Sequence, residues 1–137
     1  MKVVIDNNVI IDAAARRAPH NEEAEKIVTL AGDRQFEGYI TANSATDIYY
    51  VMKKAVGVSA AKELLTHLFN LFGIAPVSGD DCGEALILPI ADFEDALLTI
   101  CAKKINADYL ISRDEDFQKV SSPVPVISPS DFLAKCV

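Results

Sequence analysis

Four aspartates of this 137-residue chain stand beside short apolar runs. Asp6 directly follows Val3-Val4-Ile5, and Asp114 follows Tyr109-Leu110-Ile111 by way of Ser112-Arg113. Asp47 falls in a stretch of helical spacing after Gly38–Ile40, and Asp95 in the first turn of another before Tyr109–Ile111. If the apolar runs are neighbouring parallel strands, about 5 Å separates the chains, and the acids emerge at the carboxyl edge where such sheets bind ligands. Two unit charges about 5 Å apart repel by roughly 3 kcal/mol even at an effective dielectric near 20. A cluster of that kind calls for a cation or a shared proton. Donors that are all oxygen suit a hard ion, Mg²⁺ or Mn²⁺, rather than zinc. Such an ion leaves positions open for water and for a phosphate oxygen, and offsets the charge that builds on phosphorus during in-line attack.

Each acid also has an ordinary explanation. An aspartate after a strand serves as a turn former or helix cap, and acids such as Asp92 and Asp95 in a helix's first turn are favoured by capping and by the macrodipole. Asp47 also reads as a solvated helix-surface acid. Only joint placement of the four favours chemistry.

The elements that must position them follow from hydrophobic spacing. Apolar runs of strand type are Val3–Ile5, Gly38–Ile40, Ile74–Val77, Tyr109–Ile111 and Val124–Ile127. Between them, Ala24, Ile27, Val28 and Ala31 keep the i, i+3, i+4, i+7 spacing behind Asn21, which reads as an N-cap. Ile48, Val51, Met52 and Ala55 repeat it, as do Ala61, Leu64, Leu65, Leu68 and Phe72. A further helix is expected from Asp92 to about Ile105, and a last one after Pro129 with Ser128 or Ser130 as cap. Strands that are apolar throughout and alternate with helices predict a three-layer α/β/α domain with a mostly parallel sheet. No linker or repeat divides the chain, so residues 1–137 are read as one domain.

Composition narrows the classes further. Half of the residues are hydrophobic, enough for a core and too many for a disordered chain. No apolar run approaches the roughly 18 residues of a membrane span. Asp6 and Asp12 interrupt any signal-peptide core, and the three cysteines suggest neither a disulfide framework nor a zinc site. A cytoplasmic location is expected. The net charge of −7 argues against broad attraction to nucleic acid, although a bound divalent ion would invert the local field. His20 and His67 lack metal-ligand spacing, and Gly79-Asp80-Asp81 reads as a helix-opening turn.

With these residues in view, the sequence resembles a PIN domain over nearly its whole length. The matching pieces are VVIDNNVIID, TDIYYVMKK, DFEDALL and YLISRDEDF, in order and at the expected spacing. The resemblance implies a metal-dependent ribonuclease, very often the toxin of a VapBC-type toxin–antitoxin pair. It places metal-binding acids at Asp6, Asp95 and Asp114, a further catalytic acid at Asp47, and polar helpers at Asn8 and Ser112. Asp92 and Asp116 belong to the same motifs as caps or supporting residues. The implied mechanism is in-line attack by an activated water, assisted by one carboxylate, that leaves a 5′ phosphate and a 3′ hydroxyl. The chain departs from the family pattern at residue 7, Asn where Thr or Ser is usual, at Asp47 where Glu is usual, and at Ser112 where Thr is commoner.

Implied partners are an RNA substrate, an antitoxin that blocks the acid edge with a basic side chain, and a second copy of the chain; the apolar helix Ala61–Phe72 reads equally as a face for that copy and as buried core. Lys53-Lys54, Lys103-Lys104, Arg113 and Arg16-Arg17 are candidate phosphate contacts, with Tyr49 or Tyr50 to stack on a base; solvated helix faces and core aromatics are the plainer reading.

Other phosphoryl-transfer folds fit less well. A haloacid-dehalogenase-type phosphatase wants an acid where Asn8 stands. A receiver domain wants adjacent acids and a late lysine that Asn7, Asn8 and Arg113 do not supply. P-loop, dinucleotide and serine-hydrolase motifs are absent from the sequence. The rival from another class is a PIN-fold protein that binds RNA or a partner without cutting. Convergence of Asp6, Asp95 and Asp114 to within metal-bridging reach would separate the two.

Overall fold

The computed structural model describes residues 1–136, which form five strands and eight helices. The order is β1 (Lys2–Ile5), α1 (Asn7–Ala14), α2 (Asn21–Gly32), β2 (Glu37–Thr41), α3 (Ala42–Val56), α4 (Val58–Leu71) and β3 (Gly73–Ala75). It continues through α5 (Gly79–Ile87), α6 (Phe93–Lys104), β4 (Tyr109–Ile111), α7 (Glu115–Gln118), β5 (Val126–Ile127) and α8 (Pro129–Cys136). The strands pair in the order β3-β2-β1-β4-β5, every pair parallel.

Alternation along β1 distributes the core. Val3 and Ile5 pack on one face with α1, α2, α3, α4 and α8, whereas Val4 points to the other, against Leu98, Ala102, Leu110 and Phe117. Val3, Val4 and Ile5 are fully buried, as a central strand covered on both faces requires, and Lys2 at its start is partly buried. The three-layer α/β/α arrangement expected from the alternation of strands and helices is the one found.

Two glycines make close packing possible. A Cβ on Gly38 would stand 2.7 Å from the Phe72 ring, and one on Gly73 would stand 2.5 Å from the Tyr39 ring. The bare backbone at these positions lets each aromatic lie flat across its neighbouring strand.

Several local expectations need correction. Asn21 is the first residue of α2 rather than its cap, since His20 holds the cap position. The strand read as Ile74–Val77 is Gly73–Ala75, and that read as Val124–Ile127 is Val126–Ile127, because prolines at 76, 123 and 125 remove the ladder donors on either side. Helix α1 is an element beyond those expected, and it buries Val9, Ile10 and Ile11. The apolar helix expected over Ala61–Phe72 ends at Leu71; Ala61, Leu68 and Phe72 are core, and only Phe69 of its large apolar residues is exposed. Gly79-Asp80-Asp81 does open a helix: Ser78 and Asp81 form a reciprocal capping box at the start of α5. Ser128, not Ser130, supplies its hydroxyl to the start of α8.

Candidate active site

Backbone pairing sets the site's frame. The Asp6 amide donates to the Ile111 carbonyl at 2.9 Å, which extends the β1–β4 ladder to the first residue past each strand. Asp6 and Ser112 therefore meet at the carboxyl edge. The Ser112 hydroxyl donates to Asp6 Oδ2 at 2.7 Å and accepts the Asp114 amide at 3.1 Å, so one buried serine links two of the acids. Asn8, in the first turn of α1, adds longer contacts from its amide to Asp6 Oδ2 (3.4 Å) and Ser112 Oγ (3.5 Å).

The other acids arrive from helices that begin at the same edge. Helix α6 runs back toward β4, so its N-terminus brings Glu94 and Asp95 to the edge, and α3 brings Asp47. The Asn7 amide donates to Asp47 Oδ2 at 3.0 Å and to Glu94 Oε1 at 3.3 Å, holding the two carboxylates side by side. Glu94 is the acid that sequence reading missed; it lay inside the DFEDALL motif, masked by the two aspartates on either side. Asn7, noted only as a departure, is its link to Asp47.

Electrostatics report how crowded the edge is. Burial pushes the Asp6 carboxyl up to about 6, against the Ser112 hydroxyl and the Asn7 backbone N–H, which favour its ionised form, and with Glu94 and Asp114 adding repulsion. Asp95 is pushed up to about 7, first by burial and then by the charges of Asp92, Asp6, Asp114 and Glu94. Glu94 is raised by burial and by Asp47 beside it. Every charged neighbour that perturbs these three groups is another acid.

Asp92 and Asp114 have helix-capping roles. Asp92 Oδ1 accepts the Asp95 amide at 3.0 Å, and Asp114 Oδ1 accepts the Asp116 and Phe117 amides at 2.9 and 3.4 Å. Asp116 is exposed and joins Asp92, Asp95 and Asp114 around a 260 Å³ cleft floored by Ile90, Phe117 and Val120. Among the described residues, no three His, Cys, Asp or Glu side chains stand gathered to hold an ion. The acids are thus neighbours at one edge, but the convergence set out above as the deciding test is not met by the side chains as they stand. The donor set itself fits a hard divalent cation: it is all oxygen, and among the described residues no base pairs with it and no hydrogen-bond donor holds the Asp95 carboxylate.

Most of the basic candidates lie elsewhere. Lys53-Lys54 and Lys103-Lys104 occupy the last turns of α3 and α6, at the ends away from the acids. Lys104 is engaged by Asp81 at 2.5 Å and by the Pro76 carbonyl at 3.2 Å. Arg113 does stand at the acid edge, but its guanidinium binds Asp12 at 2.6 and 3.2 Å. Tyr49 packs against the core, while Tyr50 is exposed with its ring edge-on to Tyr49. His20 and His67 are both exposed.

A family model of the PIN domain matches residues 2–116, and the chain belongs to the PIN domain family. No curated protein matches it in sequence. Among solved structures, a toxin–antitoxin complex from Klebsiella pneumoniae contains a chain similar at TM-score 0.70 and 20% identity, with 93% of this chain and 97% of that one covered. VapBC2 from Rickettsia felis, bound to a DNA fragment from its promoter, is similar at TM-score 0.68 and 15% identity over 93% of this chain and 98% of that one. Mycobacterium tuberculosis VapC20, a sarcin–ricin loop cleaving toxin, is similar at 0.67 and 15% identity, over 84% and 92% of the two chains. At these identities the likeness is one of fold. No helix among the described residues is long and apolar enough to cross a membrane.

Proposed function

We propose that the chain is a divalent-metal-dependent endoribonuclease, the toxin of a VapBC-like type II toxin–antitoxin pair. The observation that carries this reading is the uncompensated acid edge, where Asp6 and Asp95 are pushed to about 6 and about 7 in the company of Asp47, Glu94 and Asp114. PIN family membership and the toxin–antitoxin systems among the similar structures support it.

Asp6, Asp95 and Asp114 would hold Mg²⁺ or Mn²⁺, with Asp47 and its partner Glu94 completing the acid set. The ion, when bound, would supply Lewis-acid charge to a phosphodiester under in-line attack by water. Ser112 and Asn8 orient Asp6 through the bonds described. One carboxylate of the set would accept a proton from the attacking water. Asn7 holds Asp47 toward Glu94, whose additional methylene supplies reach that Asp47 lacks by comparison with the glutamate usual at its position. An antitoxin would contribute a basic side chain to this edge, and the RNA substrate would approach it from the same side.

The experiment is cleavage of a labelled, structured RNA pool by purified protein with Mg²⁺, Mn²⁺ or EDTA, beside Asp6→Asn and Asp95→Asn. Metal-dependent cuts lost in both variants are expected; cuts retained in either would implicate a contaminant and refute the assignment. The lack of three acids already gathered for an ion favours a second reading, a PIN-fold protein that binds RNA or a partner without cutting. Intact RNA in every lane, with RNA retained on the protein, would select it.

A further inference from the structure

Asp12 lies on α1 and is only 2% exposed, yet it carries a carboxylate. Its partner is Arg113, whose Nε and Nη2 reach the two carboxylate oxygens at 2.6 and 3.2 Å in a bidentate fork. A second link comes from the same residue: the Arg113 amide donates to Asn8 Oδ1 at 3.4 Å. Asn8 and Asp12 are four residues apart and share one face of α1. Arg113 is thus fastened at its backbone and at its guanidinium to one helix.

That fastening bears on the site because of what flanks Arg113. Ser112 bonds Asp6 and the Asp114 amide, and Asp114 caps α7. Among the described residues the turn is tied to the sheet by the Ser112 amide, which donates to the Ile127 carbonyl at 3.0 Å, and to α7 by the Gln118 side-chain amide, which donates to the Ser112 carbonyl at 2.8 Å. Asp12 is buried while the Arg113 side chain is 34% exposed, and an ion pair taken wholly or partly out of water contributes little to stability beyond what apolar residues of similar volume would give. A planar two-bond fork, by contrast, fixes orientation as well as distance.

We propose that the Asp12–Arg113 pair is a positioning device that locks the Ser112–Asp114 turn onto α1 and so sets Asp114 against Asp6. Arg113 is then a positioning residue rather than a phosphate contact. The proposal rests on the metal-dependent nuclease reading above.

The test compares wild type with Asp12→Asn, Arg113→Lys and the double variant. Calorimetry gives Mn²⁺ affinity, labelled RNA gives kcat and KM, and hydrogen exchange follows the Asp114 amide. Expected are folded variants with Mn²⁺ binding weakened about 10- to 100-fold, kcat lowered at unchanged KM, and faster exchange at Asp114. The double variant should be no worse than the more damaged single one, because both changes remove the same contact. Variants with a lowered melting temperature but wild-type Mn²⁺ affinity and kcat would overturn the proposal. So would a rise in KM confined to Arg113→Lys, the mark of a guanidinium on phosphate. Where Arg113→Lys fails to fold around a buried Asp12, Asp12→Asn decides alone, since its amide keeps the shape and removes the charge. A wild type that binds no Mn²⁺ refutes the nuclease reading instead; exchange at Asp114 unchanged in Asp12→Asn refutes the clamp with or without metal.

Discussion

The two ends of helix α6 look alike in sequence and differ in kind. Acids in its first turn and lysines in its last both suit the helix macrodipole. At the far end, Lys104 meets Asp81; its hydrogen bond, with those from Ser78, holds the Asp81 carboxyl below the usual range. At the near end, roughly 13 Å along the axis, the charges that act on Glu94 and Asp95 are those of other acids, and both are held above it. The dipole is the same for both ends, so it does not decide. The decisive factor is whether a countercharge stands opposite. The lysine end is an assembled structural contact, and the acid end is an arrangement that a cation would complete.

The largest expected effect follows from removing Asp95, which is repelled by Asp92, Asp6, Asp114 and Glu94. Asp95→Asn should lower RNA cleavage by at least ~100-fold while raising the melting temperature of the metal-free protein, because one member of a mutually repelling set is gone. Asp81→Asn should do the reverse, costing a few degrees of melting temperature and leaving cleavage near wild type. Melting curves and initial rates on both variants would break the comparison if the two moved together.

Metal should act at one end only. At a concentration about 100 times its Kd, Mg²⁺ or Mn²⁺ should stabilise the wild type by roughly 2.7 kcal/mol, visible as a raised melting temperature, with a much smaller rise in Asp95→Asn.

The pH dependence has a definite sign. Asp6 and Asp95 titrate higher in the folded protein than their ordinary 3.8, so folding favours their protonated forms. Their contribution to stability is fully present below about pH 4 and is lost as the pH rises through about 6 and then about 7. For the largely buried Asp6 this is about 3 kcal/mol; half-exposed Asp95 is screened by solvent and adds less than its larger rise would indicate. Asp81 works in the opposite sense, its contribution present above the unfolded value and lost as the pH falls through its lowered one. Melting of metal-free protein across pH 5–8 should therefore decline with pH, and Asp6→Asn should flatten the decline.

A smaller effect is expected at the Asp47–Glu94 pair. Glu94→Gln should weaken Mn²⁺ binding severalfold, since Asn7 still holds Asp47 in place. An unchanged affinity would remove Glu94 from the acid set.

Much of this was legible before the structure. Asp6 and Asp114 could be placed because strand β1 and strand β4 are continuous apolar runs with the acids at fixed offsets, and a parallel sheet leaves only one edge for them. Asp95 followed from its place in the first turn of the helix that precedes β4. The links between segments were not legible. Asn7 to Glu94 and Asp12 to Arg113 span 87 and 101 residues, and no local periodicity encodes which polar side chains meet across a sheet edge. The placement of the basic pairs, candidates for phosphate contact but more plainly solvated helix faces, was not legible for a related reason. Lys53-Lys54 and Lys103-Lys104 sit at helix C-termini, and in this topology those ends lie opposite the acid edge.

The central claim is that the acid edge is a cation site. Titrating Mn²⁺ into the metal-free protein at pH 7, with Asp95→Asn and Asp81→Asn alongside, tests it most directly. The account predicts saturable binding in wild type and Asp81→Asn that is lost or strongly weakened in Asp95→Asn. Wild-type protein that binds no Mn²⁺, or binds it equally well without Asp95, would contradict it.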